Sequence, residues 1–161
     1  MRALTPARAI AYGGLTVAVL DGLDAIVFFG LRNGVSPFRI FKGIAGGLLG
    51  REAASAGGWP TALLGLVLHV TIATTIVAVC VLISRRLTFI TRQPFVWGPV
   101  YGVAAYLVMN LVVLPLSALQ GTGLPSALPV LVNGILIHIV GVGTPSVLFA
   151  RAASPFAQEV P

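Results

Sequence analysis

Residues 59–84 read WPTALLGLVLHVTIATTIVAVCVLIS, an apolar stretch without any Asp, Glu, Lys or Arg. A helix rises about 1.5 Å per residue, so about 20 apolar residues cross the hydrocarbon core of a bilayer. Comparable stretches occupy about residues 9–31, 94–119 and 127–150. The sequence therefore predicts an all-α membrane protein with four transmembrane helices, which form a single transmembrane domain over residues 1–161.

The composition supports this class. Of the 161 residues, 57% are hydrophobic and 9% are charged, whereas a soluble domain has roughly a quarter of its residues charged. The formal net charge of +6 comes from basic residues at the ends of the apolar stretches and in the connections. Membrane topology explains that placement, so no nucleic-acid partner is expected. Cys80 is the single cysteine, which excludes a disulfide framework and a cysteine-based metal motif.

The basic residues also indicate an orientation. Those expected on one side of the membrane are Arg2, Arg8, Arg85, Arg86, Arg92 and Arg151. The connection between the third and fourth stretches carries no charge, while the first connection carries Arg32, Arg39, Lys42 and Arg51. Because cytoplasmic segments are enriched in Arg and Lys, we expect an inner (cell) membrane protein with both termini in the cytoplasm.

The first connection is expected to contain a short helix near residues 36–50. Ser36-Pro37 is a favourable start, because serine caps a helix and proline suits its first turn. Apolar residues then recur on one face, and basic residues and glycines share the other. These two sets are Phe38, Phe41, Ala45 and Leu48, and Arg39, Lys42, Gly43, Gly46 and Gly50. The pattern favours an amphipathic helix in the membrane interface. Its glycines would also permit docking on a neighbouring helix, and its basic residues would permit contact with lipid headgroups.

Several polar residues recur along the chain with similar neighbours. Asp21 follows a Tyr-Gly pair at the same spacing as Asn110 follows another, and His69 and His138 lie in the similar segments GLVLHV and GILIHI. The chain therefore looks like a tandem duplication of a two-helix unit, with the short helix inserted in the first copy. We expect two helical hairpins related by a pseudo-twofold axis along the membrane normal.

The repeated residues fall at one depth. Asp21, His69, Asn110 and His138 each lie about ten residues from the same end of their spans, near the bilayer centre. Asp24 lies one turn from Asp21 on the same helix face. Because ionisable side chains are costly in lipid, we expect all five to meet in one buried centre.

The predicted centre favours a proton or cation site used in transport or relay. Two close carboxylates in a low dielectric, here Asp21 and Asp24, share a proton, and histidine titrates in the physiological range. A divalent metal is a variant of this interpretation, with His69, His138 and Asp21 as candidate ligands.

Two alternatives remain open. His69 and His138 could hold a haem between them, because histidine is a usual axial ligand. The polar residues could instead only tie helices together in a non-catalytic membrane subunit or assembly factor. For the protein as a whole, the expected partners are the lipid bilayer and either a further copy of the chain or another membrane protein. The sequence contains no nucleophile–base motif, phosphate loop or cofactor fingerprint, which argues against an enzyme.

Several motifs resemble a group of uncharacterised bacterial four-span inner-membrane proteins. They are Asp21 with Asp24, Ser36-Pro37-Phe38-Arg39, Gly46-Gly47-Leu48-Leu49-Gly50, Leu68-His69, Tyr101-Gly102, Val108-Met109-Asn110 and Leu114-Pro115-Leu116. The resemblance covers the chain from Tyr12 to Arg151. It implies a bacterial cytoplasmic-membrane location, and it implies no activity, substrate or catalytic residue.

Overall fold

The computed structural model describes residues 4–121 and 123–154. It is 83% helix, and no strand occurs within those ranges. Four helices are long and apolar enough to cross a membrane: α1 (Pro6–Asn33), α4 (Trp59–Ser84), α6 (Pro94–Leu116) and α7 (Leu128–Ala152). The shorter helices are α2 (Pro37–Leu49), α3 (Arg51–Ala56) and α5 (Phe89–Arg92). The predicted all-α class with four candidate membrane helices is confirmed. Arg2, which contributed to the predicted orientation, lies outside the described residues.

Local sequence explains where α1 and α2 begin and where α1 ends. The Thr5 hydroxyl accepts a hydrogen bond from the Arg8 backbone N–H at 3.4 Å and so caps α1. α1 ends before Gly34, whose φ of 63° suits glycine. Ser36 caps α2 as Thr5 caps α1, through the Arg39 backbone N–H. A helix is thus present in the first connection, and its interfacial position in a membrane stays a prediction.

The spans assemble around α7. This helix contacts α1, α4 and α6, and α1 also packs along α4. The buried core where α1, α4 and α7 meet includes Val17, Val77, Val142 and Val147. Within each half of the chain the two consecutive spans pack together, α1 with α4 and α6 with α7. Between the halves, α7 contacts both α1 and α4, whereas α6 has no comparable contact with either within the described ranges. The pseudo-twofold arrangement stays a prediction.

Glycines set the closest helix contacts. A Cβ at Gly143 on α7 would overlap the backbone of Gly98 and Gly102 on α6, so these three positions let the two helices touch. A Cβ at Gly65 on α4 would likewise overlap the carbonyl group of Phe41 on α2. α2 therefore docks directly on α4, and the residue that permits the docking belongs to α4.

α6 and α7 each contain a wider π-helical segment beside a proline. Met109–Val113 lies just before Pro115, and His138–Gly143 lies just before Pro145. Proline has no N–H, and its ring crowds the carbonyl group four residues earlier, so an extra residue in the turn relieves the clash. The polar residues predicted at the centres of these two spans lie in the π-helical segments, where the helix rotation differs from that of a regular α-helix.

Candidate functional site

A cavity of about 580 Å³ brings three of the five predicted site residues together. Asp21 of α1, His69 of α4 and His138 of α7 all line it. Arg39 of α2 adds a permanent positive charge to the lining, and most of the remaining wall is apolar. The volume lies within the range of about 300–1,000 Å³ that is usual for ligand sites. We call this space the apolar cavity.

Asp21 and His69 face each other in this cavity. The Oδ2 atom of Asp21 lies 4.0 Å from Nδ1 of His69. The other ring nitrogen, Nε2, lies 2.9 Å from the carbonyl oxygen of Ala18. A carbonyl oxygen can only accept, so Nε2 carries a proton and donates it. Gly22 gives the imidazole room to lie against α1, since a Cβ at this position would be 3.2 Å from Nε2. The side chains are 12% (His69) and 28% (Asp21) exposed, so the pair is only partly buried.

His138 is held by its own helix. Its Nδ1 atom lies 2.9 Å from the carbonyl oxygen of Gly134, so Nδ1 is the protonated nitrogen in the neutral ring. The ring of Tyr106 packs edge-on against the imidazole, with 5.1 Å between the ring centroids. The two histidines are thus fixed as opposite tautomers on one cavity.

Asp24 and Asn110 have partners of their own and do not line the cavity. Asp24 accepts a hydrogen bond of 2.7 Å from the side-chain amide of Asn133, which ties α1 to α7. Asn110 is buried and donates to the carbonyl oxygen of Tyr106 at 2.9 Å, within α6. A buried charged centre made of all five residues is therefore not shown. In place of the predicted proton-sharing pair of aspartates, Asp21 faces a histidine and Asp24 binds an amide.

Three further residues contribute to this region without having been assigned to it from the sequence. Asn133 is the hydrogen-bond partner of Asp24. The sequence feature that could have indicated this role is an amide side chain within an apolar stretch. Tyr106 is buried, and its hydroxyl has no hydrogen-bond partner among the described residues. Arg39 was expected on the basic face of the short helix, and its place in the cavity wall depends on how α2 docks.

The structure adds little support to the predicted metal and haem sites. Within residues 4–121 and 123–154, no group of three or more His, Cys, Asp or Glu side chains could hold a metal ion. The metal interpretation with His69, His138 and Asp21 as ligands stays a prediction. For the haem alternative, the nitrogen of His69 that does not bond Ala18 is Nδ1, and it lies 4.0 Å from Asp21. The bis-histidine haem site stays a prediction.

Comparison with known proteins gives no relative: no family model, no curated protein and no solved structure matches this chain. The resemblance to bacterial four-span inner-membrane proteins stays a prediction. The class rests on the four apolar helices, which indicate a multi-pass membrane protein in a lipid bilayer.

Proposed function

We propose that this membrane protein binds a proton between Asp21 and His69 and uses that site to relay protons or to couple them to transport. The observation that carries the proposal is the 2.9 Å contact between His69 Nε2 and the Ala18 carbonyl oxygen. Because this contact fixes the proton on Nε2, Nδ1 is the nitrogen that faces the carboxylate.

Asp21 and His69 attract each other only when the pair binds one more proton. A neutral His69 presents a lone pair at Nδ1, and an ionised Asp21 presents oxygen lone pairs opposite it. At 4.0 Å the two groups are not hydrogen-bonded. A proton on either partner makes the contact attractive and would draw the groups together, as a carboxylic acid that donates to Nδ1 or as an imidazolium beside a carboxylate. Attraction of this kind is stronger beside apolar walls than in water. Asp21 and His69 therefore form a one-proton site.

His138 supplies a second proton-binding group on the same cavity. Its Nδ1 donates to Gly134, so Nε2 is the nitrogen that can take up or release a proton. A cavity of about 580 Å³ has room for water molecules that would bridge the two imidazoles. A proton is favoured over a metal cation because the site has one carboxylate and lacks the cluster of ligands that a metal needs.

The proposal includes a bacterial inner membrane as the location, with both termini in the cytoplasm and two tandem hairpins as the topology. The distribution of Arg and Lys supports the orientation, and the recurring Asp21/Asn110 and His69/His138 positions support the duplication.

Proton flux into liposomes that contain the full chain and an internal pH dye tests this function, with a potassium diffusion potential as the driving force. We expect Asp21→Asn to lower the flux at least about tenfold, because an amide cannot carry the proton. Asp24→Asn is the matched control, because its remaining side-chain oxygen still accepts from Asn133. Equal flux in wild type and Asp21→Asn, or no flux in wild type above that of empty liposomes, would contradict the proposal.

A further inference from the structure

A second cavity, of about 490 Å³, adjoins the apolar cavity. Three cations from α2 and α3 line it: Arg39, Lys42 and Arg51. Arg39, Gly43 and Leu119 line both cavities, so the two spaces are contiguous. We call the second space the basic cavity. The two spaces share part of their walls, and one is lined by cations while the other is mostly apolar.

The three cations have no acidic partner among the described residues. Lys42 donates to the carbonyl oxygen of Ser55 at 2.6 Å and lies 5.2 Å from the centre of the Phe38 ring. Those contacts orient the ammonium group but leave its charge uncompensated. Arg39 and Arg51 are exposed. Three cations line this cavity and no carboxylate does so among the residues that the structure describes, which makes it complementary to an anion.

We propose that the two cavities together bind a membrane lipid with a net anionic phosphate headgroup. The phosphate lies in the basic cavity, where guanidinium groups bind phosphate oxygens through paired charge-assisted hydrogen bonds. The hydrocarbon chain lies in the apolar cavity, against side chains such as Ile40, Ile44 and Leu48 of α2. A free phosphate would leave the apolar end unfilled, and a zwitterionic lipid would bring a further cation towards the three already present.

Gly43 lies at the border between the two cavities. It lines both cavities, and a Cβ built at this position would meet no atom within 4 Å. A larger side chain at position 43 therefore has space to fold but occupies the path that the lipid would take. The inference rests on these cavity walls and shares the apolar cavity with the proposed proton site, since Asp21, His69 and His138 line it too. Lipid binding and proton flux are measured separately, so either proposal can fail alone.

Binding of dioleoyl phosphatidate to the full chain in detergent micelles tests the proposal, with dioleoyl phosphatidylcholine and inorganic phosphate as the comparison ligands. Native mass spectrometry measures occupancy, and thermal unfolding measures stabilisation. We expect phosphatidate to bind at least about tenfold more tightly than the other two, because only it matches both ends of the site. High salt should weaken the binding, because the headgroup contacts are electrostatic.

Variants separate the two ends of the site. Arg39→Gln with Arg51→Gln removes two exposed cations and should weaken phosphatidate binding about tenfold or more. Arg85→Gln with Arg86→Gln is the matched control, since this exposed pair lies at the far end of α4 and lines neither cavity. Gly43→Leu should block the lipid while leaving the cations in place. If both sets of arginine variants bind equally, or Gly43→Leu binds as wild type, the proposal is wrong. If inorganic phosphate competes with phosphatidate at equal concentration, the site is an anion site and the lipid assignment is overturned.

Discussion

His69 donates its Nε2 proton to the carbonyl oxygen of Ala18, and this 2.9 Å bond crosses from α4 to α1. The bond does more than join two helices, because it decides which ring nitrogen faces Asp21. A histidine that merely filled space would leave both tautomers accessible. Here the backbone of α1 selects one tautomer, and the carboxylate on the same helix meets the other nitrogen.

At a pH high enough to keep both imidazoles neutral, nitrogen NMR of the labelled full chain in detergent should show the two histidines as opposite tautomers. We expect the proton on Nε2 in His69 and on Nδ1 in His138, because a carbonyl oxygen accepts from each of those atoms. His69→Gln and His138→Gln assign the two signals. The same tautomer in both rings would contradict the hydrogen bonding described.

Tyr106→Phe should leave the stability unchanged or raise it by about 1 kcal/mol, because the buried Tyr106 hydroxyl has no partner among the described residues. Tyr101→Phe is the matched control. Its hydroxyl donates to the carbonyl oxygen of Ile76 at 2.6 Å, so its removal should lower the free energy of unfolding by about 1 kcal/mol. Unfolding of the purified variants in mixed micelles measures both changes. A loss at Tyr106 as large as that at Tyr101 would mean that the Tyr106 hydroxyl has a partner.

Gly65→Leu should separate α2 from α4, because the new side chain would overlap the carbonyl group of Phe41. We expect a loss of about 1–3 kcal/mol in the free energy of unfolding. The fluorescence of Trp59 should also change, since its ring packs 4.8 Å from that of Phe38 on α2. Gly43→Ala on α2 has open space and should change neither quantity. An unaltered Trp59 signal in Gly65→Leu would show that the helices do not dock at this point.

The hydrogen bond between Asn133 and Asp24 should give a measurable coupling. A double-mutant cycle with Asp24→Leu and Asn133→Leu isolates the pair from the effect of each single change. We expect a coupling free energy of about 1 kcal/mol, because hydrogen bonds between membrane helices are modest. Additive effects of the two substitutions would mean that the amide and the carboxylate do not interact.

The membrane helices were predictable because hydropathy depends on a simple count of apolar residues. The stretch predicted at 59–84 has the bounds of α4, and that at 9–31 lies within α1 (Pro6–Asn33). The third span ends at Leu116, three residues before its predicted end at 119, since Ser117 is extended with ψ of 168° just after Pro115. Prolines stop helices through local clashes, but how far a helix continues past one depends on its contacts.

The site was predictable only in part. Asp21, His69 and His138 were placed on one level by counting residues from the span ends, and they do share a cavity. The same reasoning placed Asp24 and Asn110 with them. Each of those two has another partner, because helix rotation decides which neighbour a side chain reaches, and residue counts do not report rotation.

The sequence alone determined the class, the number of candidate spans and the positions of the polar residues along them, because these follow from residue type and from the fixed rise of a helix. The tertiary structure decided the partners. Gly65, Gly102 and Gly143 let backbones touch, and these contacts fix the rotation and spacing of α2, α4, α6 and α7. That packing places Arg39 in the wall of the apolar cavity. The carbonyl oxygen of Ala18 on α1 accepts from Nε2 of His69, so Nδ1 is the nitrogen that faces Asp21. Such contacts join residues far apart in the chain, so no local pattern contains them.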